Sequence, residues 1–346
     1  MKKITLTKSQ ESRARDLHYS ALFIDGLCGN LINPEPPVIN GVSYLQRACD
    51  SGVTAQSITI ASPAAGFEQV LKEIYGYYNL FSYSPDQVML VNSASDIEKA
   101  RAEKKLGVIF NLQNASPVGT DFFKWSILSK LGLRVCQLTY NEPNVFGHGC
   151  MEEANGGLTF YGRQAVREMN RQRILIDLSH VGERTSLEAI QASEEPCVFS
   201  HSNALAVTPT TRRNLTDEMM KAVARKGGLV GLSSHAFLSH HEVGVQPTLE
   251  DYMAHFEYVA RLIGTDHMAI GTDIYEYYTK QYWECKTKLL YDSPWFFETV
   301  FNADLKRVDQ YVNITRGMVA LGFSDEDIYK VLGRNYLRVY KKVWKG

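Results

Sequence analysis

The chain is expected to fold as an α/β protein of the (β/α)8, or TIM-barrel, class, and three observations lead there. Eight apolar runs of strand length are spaced along it: Leu22–Leu27, Val53–Thr59, Gly107–Leu112, Arg134–Tyr140, Ile174–His180, Cys197–Ser202, Leu229–His235 and Met268–Asp273. Helical patterns lie between most of them. Several runs also end in a ligand-type residue, as parallel strands do when they deliver side chains to one mouth. Strict alternation of strand and helix argues for a parallel sheet, and eight strands argue for its closure. A doubly wound open sheet is the competing fold. It more often carries a glycine-rich phosphate loop after its first strand, and neither G-x-G-x-x-G nor a P-loop occurs there.

The helices are expected at Ser95–Lys104, Asp121–Leu131, Tyr161–Gln172, Glu183–Ala192, Thr216–Lys226 and Leu249–Ile263. Thr216-Asp-Glu has the chemistry of a helix start, and Lys-Gly-Gly at 226–228 that of a stop. Two more, near Ser324–Leu332 and Arg334–Trp344, close the chain. Three segments exceed a bare barrel: Asn33–Gly41, Asn141–Leu158 and the aromatic-rich Tyr275–Asp309. Each leaves the C-terminal end of a strand, the face that carries activity in barrels of this kind, so each is read as a pocket wall or an oligomer contact. No repeat or interdomain linker is evident, and residues 1–346 read as one domain.

Composition narrows the function. The 346 residues are 45% hydrophobic, ample for one large core, and carry 37 basic against 38 acidic side chains. A net charge of −1 offers no case for a nucleic-acid partner or an anionic membrane surface. The N-terminal segment is polar, without an apolar core of signal-peptide length, and no run is long enough to span a bilayer. The six cysteines lack CxxC spacing and read as reduced thiols of a cytoplasmic protein.

The residues at the strand ends are Asp25, Gln113, Tyr140, His180, His201, His235 and Asp273. Imidazole nitrogens and carboxylates converging on one mouth suit a hydrolytic metal centre: an ion, a water made more acidic by it, and a carboxylate to take the proton. His180 and His201 end adjacent strands, about 4.8 Å apart in a sheet, close enough to share an ion. Arg213, in Arg212-Arg213-Asn214, places a guanidinium fork where a substrate carboxylate would be held. The bland alternatives are hydrogen-bonded structural histidines and a solvated loop arginine.

Arg134-Val-Cys-Gln-Leu-Thr-Tyr-Asn-Glu-Pro-Asn144, Gly157-Leu-Thr through Met169-Asn-Arg171, Ile176-Asp-Leu-Ser-His-Val181, Ser200-His-Ser-Asn-Ala204, Arg213-Asn-Leu-Thr-Asp217 and Gly271-Thr-Asp273 follow in order. Together they resemble the membrane (renal-type) dipeptidase family, and the likeness runs to Gly333-Arg-Asn-Tyr-Leu-Arg338. The resemblance implies a metal-dependent-hydrolase barrel with a two-zinc site that cleaves dipeptides, including those with a C-terminal D-residue. By position, His180 and His201 match the histidines of the second zinc, and Asp273 the carboxylate that contacts the first zinc and accepts the proton. Arg213 matches the arginine that holds the substrate carboxylate.

The departures are as informative. The family's first strand ends in Asp-Gly-His-Asn-Asp, whose His and last Asp bind the first zinc; here the stretch is Asp25-Gly-Leu-Cys-Gly29. Leu27 and Gly29 bind no metal. Gln113 stands in the place of the bridging Glu, and a neutral amide is a weak ligand that cannot balance two dications. Tyr140 stands where the family has a substrate-side His. A dinuclear centre is therefore not expected. At most one zinc ion per chain is, held by His180, His201 and either Gln113 or Asp273. Asp25 reads as a structural group. Strand alternation aims Cys28 away from the side that Leu27 faces. His235 is a candidate ligand, base or substrate contact, and His148 lies on a loop that covers the site. His240 and His241 are expected to be solvated.

The leading expectation is a hydrolase of an amide bond in a small or dipeptide-like substrate, with Asp273 as base and Arg213 as anchor. Two others stand beside it: a catalytically silent barrel that binds a small ligand or a protein, and a metal-free hydrolase of a specialised amide or lactone using Tyr140, His235 and Asp273. The aromatic segment Tyr275–Phe301 suits a homodimer contact.

Overall fold

The computed structural model describes residues 3–242, 244–277 and 300–345. Among them are nine strands: β1 (Phe23–Cys28), β2 (Val53–Thr59), β3 (Val88–Leu90), β4 (Leu106–Leu112), β5 (Leu133–Gln137), β6 (Leu175–Asp177), β7 (Val198–Phe199), β8 (Leu229–Leu232) and β9 (Met268–Ile270). Eight close a parallel ring, β1–β2–β4–β5–β6–β7–β8–β9 and back to β1. The expected barrel is present, and its ring strands are the eight runs read from the sequence. β3 is additional. It pairs with Leu106–Val108 of β4, while β5 pairs with Phe110–Leu112 of the same strand.

One residue from each ring strand (Ile24, Ala55, Ile109, Val135, Leu175, Val198, Leu229 and Ala269) belongs to a single buried layer inside the barrel. That layer is stoppered by the C-terminal helix, α13 (Asn335–Trp344), through Tyr336, Val339, Tyr340, Val343 and Trp344. Each large apolar side chain so buried contributes about 1.5–3 kcal/mol. Gly26 makes room for the stopper, since a Cβ there would lie 1.8 Å from the Tyr336 hydroxyl. That hydroxyl donates to the Ser200 carbonyl at 3.2 Å. The floor of the barrel is thus dry, and chemistry is confined to the opposite end.

The outer helices are α1 (Lys8–Ser20), α2 (Tyr44–Asp50), α3 (Phe67–Tyr83), α4 (Ala94–Glu103), α5 (Phe123–Lys130), α6 (Phe160–Arg171), α7 (Glu183–Ala192), α8 (Asp217–Arg225), α9 (Ala236–Ser239), α10 (Leu249–Ile263), α11 (Val312–Ala320) and α12 (Asp325–Tyr329). A π-helical turn, Lys330–Arg334, joins α12 to α13. The expectations omitted α1, α2, α3, α9 and α11. α1 opens with a capping box between Thr7 and Gln10, a signal present in the sequence. α3 buries Val70, Glu73, Ile74 and Tyr77, a helical spacing hidden under aromatics of low helix propensity.

The ladders of β5 to β9 also end earlier than the apolar runs, whereas those of β1, β2 and β4 reach the ends of theirs. Ser179 and Ser200 give their backbone N–H groups to Asp177 Oδ1 (3.1 and 2.9 Å), so neither continues a strand. Leu27 and Thr272 give their N–H groups to Asp25 Oδ1 (3.3 and 2.8 Å); Leu27 lies within β1, whose register shifts between Asp25 and Cys28, and Thr272 lies past the end of β9. Most of the aromatic segment Tyr275–Asp309, with Cys285 and the supposed dimer contact, falls at 278–299, outside the described residues. Among the described residues no helix is long and apolar enough to cross a membrane. The other five cysteines are unpaired.

His18 ties α1 to two neighbours: Nε2 donates to the Ser51 carbonyl (2.8 Å) and Nδ1 accepts from the Thr315 hydroxyl (2.8 Å). Burial pushes its pKa down to about 4. The unfolded chain therefore binds this proton near pH 6.5 while the folded chain refuses it. The contribution is complete above that value and is lost as pH falls toward 4. Urea titrations should show stability falling over this window by roughly 3 kcal/mol for this group alone. His18→Gln should flatten the fall, and an unchanged slope would refute the assignment.

Candidate active site

His180 follows β6 and His201 follows β7, and their Nε2 atoms lie 3.0 Å apart. His180 adopts φ +65°, a left-handed conformation that costs a non-glycine residue of order 1 kcal/mol or more. It is held there by its own carbonyl, which accepts from the N–H groups of Asn141 (3.2 Å) and Cys150 (2.9 Å). These bonds draw the loop after β5 over the ring.

The partners of the other ring nitrogens decide the tautomers. His180 Nδ1 lies 2.7 Å from Asn141 Oδ1, a carbonyl oxygen that only accepts, so Nδ1 carries the proton. The Ser200 hydroxyl donates to Asp177 Oδ2, which leaves Ser200 Oγ to accept from His201 Nδ1–H at 2.7 Å. Both imidazoles therefore turn an Nε2 lone pair toward the same point. Two lone pairs at 3.0 Å repel, and a shared cation or proton relieves the repulsion. Burial holds the His201 pKa well below its ordinary value, and the positive charge of Arg213 acts in the same direction. His201 is thus neutral, the state of a ligand.

Tyr140 stacks on His180 with ring centroids 4.0 Å apart and planes 22° apart. Arg213 is buried. Its Nη1 donates to Ser202 Oγ and its Nη2 to the His201 carbonyl (2.7 Å), bonds that use two of the five donors of the fork. His235 caps α9, its Nδ1 accepting from Phe237 N–H (3.3 Å), with its ring edge-on to Phe301. Asp273 follows β9 in a left-handed conformation (φ +59°), half-buried, its N–H donating to the Leu27 carbonyl (3.0 Å). Behind it, Asp25 receives the N–H and hydroxyl of Thr272 and the hydroxyl of Tyr311 (2.8, 2.6 and 2.7 Å). Burial raises the Asp25 pKa to about 6 against these hydrogen bonds.

The first-strand side is different. Gln113 Nε2 donates to Thr59 Oγ1 (2.6 Å) and to the Tyr275 hydroxyl (2.7 Å). Leu27 is fully buried, and a Cβ on Gly29 would lie 2.7 Å from the Tyr275 ring. Cys28 turns outward, its Sγ against the Tyr44 hydroxyl (3.1 Å). Among the described residues no group of three His, Cys, Asp or Glu side chains converges as a metal cage. His180 and His201 present two imidazole nitrogens to one point, whereas Leu27, Gly29 and Gln113 on the first-strand side present neither a carboxylate nor an imidazole. His240 corrects the expectation of a solvated residue: it is buried, with Nε2 on Thr210 Oγ1 (2.9 Å) and Nδ1 on the Ala236 carbonyl (3.2 Å). His241 is exposed and paired with Asp251 (2.7 Å).

Sequence reasoning thus placed His180, His201, Tyr140 and Arg213 in one contiguous group. It missed Asn141, the Asp177–Ser200 relay and Tyr275. Asp177 two residues before Ser179 is an Asx-turn signal that was available; the contact of Tyr275 with Gly29 was not.

A (β/α)8 barrel with paired imidazoles at its C-terminal mouth belongs to the metal-dependent hydrolase class of barrels. The chain belongs to the membrane dipeptidase family (peptidase family M19), whose pattern matches residues 14–280. It is 27% identical over 261 residues to dipeptidase tcpJ of Claviceps purpurea, covering 75% of this chain and 56% of that longer protein. It is 28% identical over 274 residues to a Klebsiella pneumoniae protein described as uncharacterized, in the pqqA 5′ region, covering 77% and 93%. Among solved structures, an amidohydrolase from Pseudomonas aeruginosa superposes with a TM-score of 0.85 at 30% identity, covering 96% of this chain and 99% of that one. A Rhodobacter sphaeroides metallopeptidase bound to a phosphinate mimic of L-Ala-D-Ala agrees in fold, with a TM-score of 0.77 at 22% identity and coverage of 93% and 99%.

Asp177 accepts four hydrogen bonds, from the N–H groups of Ser179 and Ser200, the Ser200 hydroxyl and the Gln137 amide. Asp177→Asn turns one acceptor into a donor facing other donors and should cost roughly 2–4 kcal/mol in urea denaturation. A loss below about 1 kcal/mol would contradict this account of the strand ends.

Proposed function

We propose that the protein hydrolyses the amide bond of a small carboxylate-bearing substrate, a dipeptide or N-acyl amino acid, at a centre holding at most one metal ion. The observation that carries this reading is the pair of Nε2 lone pairs 3.0 Å apart, each oriented by a partner on the opposite ring nitrogen. His180 and His201 would hold the ion, and zinc suits two neutral imidazoles with the remaining positions open. A bound ion would supply a Lewis acid and bring a water toward a pKa of ~7.

The chain's own groups do the rest. Asp273 accepts the proton of the attacking water and passes it to the departing amine nitrogen. Arg213 receives the substrate carboxylate on the guanidinium donors its two internal bonds leave over. The Tyr140 ring keeps the His180 ring in place and excludes water from one side of it. The dipeptide mimic bound by the Rhodobacter relative is consistent with this substrate class. A second, metal-free reading has Tyr140, His235 and Asp273 supply the acid–base groups, and the uncharged Gln113–Thr59–Tyr275 cluster is consistent with it.

Metal content per chain, measured on protein purified without chelator, separates the two. The expected result is about one zinc. His180→Ala with His201→Ala should remove both the ion and hydrolysis of dipeptides; retention of both would sink the single-ion centre. Near-zero metal after zinc is offered back would favour the metal-free barrel. Asp273→Asn should lower kcat by about 10²–10⁴-fold with the ion still bound.

A further inference from the structure

We infer that Tyr275 fills the position at which the family's first metal ion would stand, closing that half of the centre with a neutral hydrogen-bonded side chain. This goes beyond the proposed hydrolysis and stands or falls without it.

Three observations converge. Leu27 and Gly29 lie on one side of β1 and its extension, and Cys28 on the other, against Tyr44. The ring of Tyr275 occupies the side of Gly29: a Cβ there would meet its Cδ1 at 2.7 Å and Cγ at 2.9 Å. An aspartate at this position could not reach the mouth without displacing the ring. Gly29 is therefore the residue that Tyr275 requires, because the space a ligand side chain would need is taken by the ring.

The hydroxyl completes the closure. Tyr275 Oη, Gln113 Nε2 and Thr59 Oγ1 form a triangle of 2.7, 2.6 and 2.9 Å. The amide nitrogen spends both protons inside it, and one hydroxyl donates to the other. Three of the four polar protons lie inside the triangle. The cluster carries no charge, so it has nothing with which to balance a dication. Glutamate in place of Gln113 could accept from both hydroxyls but would leave no proton for the Thr59–Tyr275 edge, so the amide suits the triangle better.

Tyr275 is also held from behind. The Gly29 N–H donates to the Ile274 carbonyl (3.0 Å), and Cys28 bridges to Ile274 in parallel. Glu276 is gripped by both Nη atoms of Arg47 (3.0 and 2.6 Å) and by the N–H of Val308 (2.8 Å), with the two charged side chains 1% and 8% exposed. A buried bidentate pair next to the aromatic fixes the backbone from which the ring projects.

The test is a metal titration by calorimetry with zinc stoichiometry by mass spectrometry, on four proteins. The native chain should bind no more than one zinc. Leu27→His, Gly29→Asp and Gln113→Glu combined, with Tyr275 kept, should bind no additional ion. Adding Tyr275→Ala to these three should raise the stoichiometry by one. Two ions on the native chain, an extra ion on the triple variant, or none on the quadruple variant folded by circular dichroism would each overturn the inference.

A stability cycle covers the case in which the multiple variants fail to fold. Gly29→Ala should lower Tm by several degrees in the native background and by about half as much or less once Tyr275→Ala has removed the ring. Equal shifts in the two backgrounds would mean that the ring does not occupy the space, and the inference would fail.

Discussion

Two buried carboxylates govern how this barrel opens. Asp177 on β6 and Asp25 on β1 each take a backbone N–H from two residues along their own strand and another from the neighbouring strand's end. Each also takes a hydroxyl from that neighbour, Ser200 and Thr272 respectively. An uncompensated carboxylate in such a place would be expensive, whereas one accepting four donors is a strong organiser. The ladders of β6, β7 and β9 end at or before the residues these side chains hold, and His180 and Asp273 beyond them adopt positive φ. The two strained positions of the mouth therefore lie one residue past an amide or a hydroxyl held by a buried aspartate.

The same arrangement connects fold to chemistry. Because Ser200 donates to Asp177, it can only accept from His201, and the imidazole is left with its lone pair facing inward. Asn141 achieves this for His180 from the loop after β5. Oriented lone pairs in a buried site favour a ligand role over a proton-carrying one, since burial holds His201 neutral. At the opposite end, α13 stoppers the barrel.

The asymmetry of the mouth follows from what stands on β1. On the side of β6 and β7 the nitrogens remain; on the side of β1, β2 and β4 an uncharged triangle of Thr59, Gln113 and Tyr275 has taken over. The two sides answer to different elements. The first depends on carboxylates inside the strands, the second on the segment after β9, which Arg47 and Glu276 clamp against α2.

Much of this was written in the chain. Period and apolarity were enough for the eight ring strands, because strands buried on both faces read as continuous apolar runs. The strand-end positions of His180, His201 and Asp273 followed from the same runs, and the absence of ligands at Leu27 and Gly29 from the residues themselves. α3 stayed hidden because its helical spacing is carried by aromatics, and β3 because three residues make no pattern. Only the tertiary structure decided which nitrogen of each imidazole carries its proton, and that Tyr275 rather than solvent lies against Gly29. Those are contacts between residues 29 and 275, 141 and 180, or 177 and 200. No local propensity reports such pairs, because closing the barrel is what brings them together.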